Sequence, residues 1–118
     1  MPTHIITSHG ADFSGEDWHP APQIAAMADY ARSMLPADVS NPLVDLLAAA
    51  PALTAEGLSV PASDVRLLAE LLGRVARERF VRPPVAARAR LLADAAARAA
   101  ADREPWTWTT ATTTALEG

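Results

Sequence analysis

Between Val65 and Phe80 the apolar residues Val65, Leu68, Leu72 and Val75 recur at intervals of three and four, with Leu67 and Leu71 widening the stripe. This spacing predicts an amphipathic helix covered by more than one neighbour. Ser63 and Asp64 give its first turn a capping oxygen and a negative charge, while Arg74, Arg77 and Arg79 bring positive charge to its end. Both biases suit the helix dipole. Pro83-Pro84 stops the run, because neither nitrogen can donate a helical hydrogen bond. A second periodic run starts at once, with Val85, Ala89, Leu92, Ala96 and Ala99 on one face and Leu91 and Ala95 beside it. Its alanine content favours helix by propensity alone. So short a connection predicts antiparallel neighbours. Leu68, Leu72, Val75 and Leu92 are expected to be buried between these helices and a third one.

That third helix is read from Ile24, Met27, Ala28, Ala31, Met34 and Leu35, with Pro22 in its first turn and Pro36 at its end. Asn41-Pro42 reads as an N-cap and first helical position, opening a short helix from Leu43 to Ala50. The β-branched stretch Thr3 to Thr7 predicts a short strand, ended by Ser8-His9-Gly10. Leu58-Ser59-Val60 predicts a second strand that pairs with the first. Asp12 to Pro22 is polar and reads as a loop, with Phe13 and Trp18 pinning it to the core. Past Pro105, Trp106-Thr107-Trp108-Thr109 alternates like a strand, and Thr110 to Gly118 is threonine-rich and low in complexity. The expected fold is therefore mostly α. It is a small helical domain with a C-terminal antiparallel helical hairpin and a short two-stranded β element. Residues 1–104 form the domain, and residues 105–118 a Trp/Thr-rich tail whose removal leaves the helices intact.

Composition narrows the chemistry. A chain of 118 residues suits one domain. It has no Cys, which excludes disulfides, thiolate metal sites and cysteine nucleophiles. Half the residues are hydrophobic, but many are alanine, and no apolar run reaches membrane-spanning length. No leader pattern is present, so a cytoplasmic location is expected. All ten residues counted as Lys or Arg are arginine. The net charge of −4 is unevenly spread: residues 1–60 carry seven acidic residues against Arg32 alone, whereas Arg74 to Arg90 holds six arginines against Glu78. A polar molecule with a basic hairpin tip follows.

The order Ser8-His9-Gly10-Ala11-Asp12-Phe13, then Val60-Pro61 leading into an amphipathic helix, then Pro105-Trp106 after an Ala-Arg helix, resembles small uncharacterised actinobacterial proteins that form a domain of unknown function. The resemblance spans most of the chain. It implies no function to carry over and weighs against the standard enzyme families.

Three groups of residues bear on function. His4, His9 and His19 cluster in sequence with Asp12, Glu16 and Asp17. A metal site would draw first on His9, Asp12 and His19, but no HExxH or EF-hand spacing is present, and neither metal nor cofactor is expected. Ser8, His9 and Asp12 invite a triad reading, without a nucleophile elbow to support it. Arg74, Arg77, Arg79, Arg82, Arg88 and Arg90 form a candidate phosphate-contacting set, with Arg77 and Arg88 leading. Solvated helix faces paired with Glu70, Glu78 and Asp94 explain the same arginines. Trp106 and Trp108 stand two apart and point the same way on an extended segment. Either they seal the core, or they anchor a protein partner, as tryptophans at binding hot spots do. The expected function is a non-enzymatic protein-interaction module anchored on Trp106 and Trp108. A nucleic-acid-binding regulator using the arginine tip is the alternative. A metal-dependent enzyme using the N-terminal His and Asp residues is the third reading. No membrane role is expected.

Overall fold

The structure is a computed structural model that describes residues 3–10, 15–34, 42–53 and 56–112. Asp12, Phe13, Asn41 and the threonine-rich end beyond Thr112 lie outside the described residues. In chain order the elements are β1 (Thr3–Ser8), β2 (Glu16–Pro20), α1 (Ala21–Ser33), α2 (Pro42–Ala48), a 3-10 turn (Ala50–Ala52), β3 (Leu58–Val60), α3 (Ala62–Arg77), α4 (Pro83–Asp102) and β4 (Trp106–Thr112).

The helical part follows the sequence closely. α3 and α4 form the expected hairpin, and Leu68, Leu72, Val75 and Leu92 are fully buried. Ile24, Met27, Ala28 and Ala31 of α1 complete that core. The short turn sends Val81 inward and Phe80 outward, at 4% and 59% exposure. Among the described residues, no helix is long and apolar enough to cross a membrane.

The β part is larger than expected. A four-stranded antiparallel sheet in the order β2-β1-β4-β3 replaces the two-stranded element. β3 pairs with β4 rather than with β1, and β4 lies between β1 and β3. Trp106 to Thr112 is thus a central strand, not a tail, and the domain extends past residue 104. The Asp12–Pro22 region is also corrected, since Glu16–Pro20 is a strand paired along β1.

Two backbone devices make this topology possible. α4 ends with Arg103 in the left-handed region at φ 58. There the Arg103 N–H donates to the Ala100 carbonyl and the Glu104 N–H to that of Ala99. This is a Schellman stop, with arginine where glycine is usual, and it turns the chain back into β4. At the entry to β3, Gly57 has φ +71, and a Cβ there would collide with the Trp108 carbonyl oxygen. Only glycine lets the chain approach β4 this closely.

One face of the sheet packs on the helices. Ile5, Thr7, His19, Val60, Trp106 and Trp108 all point that way and are buried. The outward face carries Trp18, Ser59, Thr107 and Thr109, all exposed.

Candidate functional site

Both tryptophans proposed as partner anchors are in the core. Trp106 and Trp108 are 0% exposed and meet edge to face, with ring centroids 5.4 Å apart. Trp106 Nε1 donates to the Ser8 carbonyl at 2.8 Å. Their same-side geometry was legible, but the side they share faces the helices. They offer no surface to a partner.

A second cluster sits where the end of β1 meets the end of α4. His9 has φ 61, a left-handed conformation uncommon outside glycine. Its Nδ1 lies 2.8 Å from Ser8 Oγ and its Nε2 lies 2.9 Å from Glu104 Oε1, with Asp102 Oδ2 at 4.0 Å. Arg98 Nε donates to the His9 carbonyl at 2.7 Å. Sequence reading found Ser8 and His9 but missed both carboxylates. Glu104 comes from 95 residues further along the chain, so no local spacing could reveal it. His9, Asp102 and Glu104 are the one His and carboxylate group among the described residues whose ligand atoms lie within 4.8 Å of one another. His19 does not join it. Arg88, its partner on α4, is ten residues from Arg98, about 15 Å along a helix. Of the metal candidates His9, Asp12 and His19, the structure keeps His9 and His19 apart, and Asp12 lies outside the described residues.

The Ser8–His9–Glu104 chain has the groups of a hydroxyl–imidazole–carboxylate relay, but its neighbours are already engaged. The Thr107 N–H donates to Ser8 Oγ at 3.0 Å, and the Trp106 and Arg98 donors are taken by the two turn carbonyls. These bonds tie the β1 end to the α4–β4 turn.

His19 is buried on the inward face of β2. It is 1% exposed, and its Nδ1 lies 2.8 Å from Arg88 Nη1. Burial first, and the Arg88 charge second, lower its pKa from the ordinary 6.5 to about 4. Burial also lowers the pKa of Arg88. As pH falls from 6.5 towards 4, the unfolded chain takes up the His19 proton before the folded one does. Stability contributed by the neutral ring is therefore full above about 6.5 and lost as pH drops towards 4. At 1.36 kcal/mol per unit, the loss is on the order of 3 kcal/mol. Urea unfolding at pH 7.5 and 4 should show this fall in the wild type and a smaller one in His19→Gln. Equal pH dependence in both proteins would contradict it.

The Arg88–His19 contact also changes the arginine set. Arg88 is half-buried and held in the fold, so it is no leading phosphate contact. Arg74, Arg77, Arg79, Arg82 and Arg90 are exposed. Arg77 and Arg90 line a groove of about 640 Å³ between α3 and α4, together with Arg66, Glu70 and Asp94. Of the expected pairings, the ion pair with Glu70 forms, but with Arg66 at 3.7 Å.

Trp18 was expected to pin a loop to the core. It stands instead on the outward face of β2, 53% exposed. The alternation that sends His19 inward sends Trp18 outward. Ile6 is its cross-strand partner, Thr109 continues that row, and the His4 ring lies 6.0 Å from the indole.

A family model described as a domain of unknown function (DUF7739) matches residues 10–109. The chain belongs to this family. In this DUF7739 domain the match takes in every described helix, β2, β3 and the first four residues of β4, 106–109. No curated protein and no solved structure matches the chain.

Proposed function

We propose that this chain is a small non-enzymatic interaction module, an accessory, inhibitory or regulatory protein that binds a protein partner through the outward face of its sheet. The observation behind this reading is the exposure of Trp18 on that face. Large aromatic side chains are strongly favoured inside, and this one is placed in register with Ile6 and beside His4. A rigid indole on a sheet loses little conformational entropy on binding, as a hot-spot anchor should. The face contains no arginine, and Glu16 adds negative charge at its edge, so it suits a protein better than a nucleic acid.

The test compares wild type, Trp18→Ala and Leu67→Ala as immobilised baits. Leu67 is equally exposed but lies on α3. Trp18→Ala should cost at least about 2 kcal/mol of binding, a thirtyfold or greater loss of affinity for the captured partner. Its folding stability should change by less than about 0.5 kcal/mol. Leu67→Ala should capture as wild type does. Wild-type affinity in a folded Trp18→Ala would contradict the proposal.

A further inference from the structure

The tip of the α3–α4 hairpin combines two features that the fold does not use. The first is unpaired positive charge. Arg32 is engaged with Asp29 and Asp45, Arg66 with Glu70, Arg88 with His19 and Arg98 with the His9 carbonyl. Arg74, Arg77, Arg79 and Arg82 enter no ion pair among the described residues, although all four are exposed. Glu78 is the one acidic residue between Arg74 and Arg82. The second feature is Phe80, the most exposed large hydrophobic among the described residues at 59%. Its ring is steadied by Tyr30 of α1, with centroids 6.2 Å apart at 39°. The connection holding it is short and closed by a hydrogen bond from the Val81 N–H to the Glu78 carbonyl. Phe80 is thus a supported ring with an open face, flanked in sequence by Arg79 and followed by Arg82.

Asp29 of α1 adjoins in sequence the Tyr30 that steadies Phe80, and it is paired with Arg32 at 3.6 Å. Asp102 is the last residue of α4 and Glu104 lies just past it, at the end away from the tip, and twenty residues of helix span about 30 Å. Screening at physiological salt acts over about 8 Å, so these carboxylates scarcely weaken the field at the tip.

We propose that this tip binds single-stranded nucleic acid, with one base stacked on Phe80 and the adjoining phosphates held by Arg79 and Arg82, and Arg74 and Arg77 adding to the attraction. An open aromatic face beside guanidinium groups is the combination that binds unpaired strands without reading sequence. A duplex keeps its base faces stacked and gains only the phosphate contacts. An anionic membrane is a poorer fit, because a single exposed ring provides little apolar area to insert.

The test is fluorescence anisotropy with a labelled single-stranded oligonucleotide of about twelve nucleotides, starting at roughly 50 mM salt. Binding should weaken steadily as salt rises. An Arg79→Glu, Arg82→Glu double variant should lose at least about tenfold in affinity. Phe80→Ala should lose about fivefold or more for the oligonucleotide while keeping wild-type affinity for heparin, a polyanion with no bases to stack. Trp18→Ala should bind as wild type, which separates this site from the sheet face. No salt-sensitive binding, equal affinity for the matching duplex, an unaffected Phe80→Ala, or preferential uptake by phosphatidylserine vesicles would each overturn the proposal.

Discussion

Deleting residues 105–118 should unfold the domain. The deletion removes β4, which pairs with β1 on one side and β3 on the other. β3 then has no strand partner, and β1 keeps only β2. It also removes Trp106 and Trp108, both 0% exposed. Two tryptophans bury roughly 300–500 Å². At about 25 cal/mol per Å², this is on the order of 7–12 kcal/mol. A domain of ordinary stability has only about 5–15 kcal/mol in total. Loss of the Trp106–Ser8 hydrogen bond and of the Gly57 approach to Trp108 adds to the damage. The truncated chain should show no cooperative thermal transition by circular dichroism. A cooperative melt with the wild-type helical signal would restore the tail reading and contradict the central position of β4.

Leu72→Ala should destabilise the protein by about 2–5 kcal/mol, the range for a buried leucine whose cavity cannot collapse. Leu72 is 0% exposed on the face of α3 that carries Leu68 and Val75. Opposite it, α4 offers Ala89, Ala95, Ala96 and Ala99 around Leu92. Alanines have no spare length with which to fill the hole. Denaturant unfolding measures the loss directly. A change below roughly 0.5 kcal/mol, typical of surface positions, would place Leu72 outside the core.

The helices were legible because their pattern is local. Val65, Leu68, Leu72 and Val75 mark a buried face without reference to anything distant, and the proline pair at 83 and 84 marks the turn. The sheet was only half legible. β1 showed its β-branched composition, and β3 and the first residues of β4 their alternation, but pairing across most of the chain leaves no trace in any short window. β2 was hidden by its composition, since Glu16, Asp17, His19 and Pro20 have little intrinsic preference for strands. Its pairing with β1 makes it a strand. That pairing fixes the parity that buries His19 and exposes Trp18, reversing what hydrophobicity alone suggests. The same limit applies to the candidate sites. Arg88 resembles its neighbours in sequence, but the fold ties it to His19, while Arg79 and Arg82 enter no ion pair among the described residues. Phe80 drew no attention as a surface residue, because the turn that exposes it follows from burying Val81.

The claim that the outward sheet face is the contact surface rests on Trp18, and this chain allows it to be watched directly. Of its three tryptophans, two are fully buried, so a soluble quencher should reach Trp18 alone. Acrylamide quenching of the free protein should reveal one readily quenched component, absent from Trp18→Ala. Adding the captured partner should protect that component and shift its emission to the blue. If it stays fully quenchable in the complex, the partner binds elsewhere and the sheet face is not the interface.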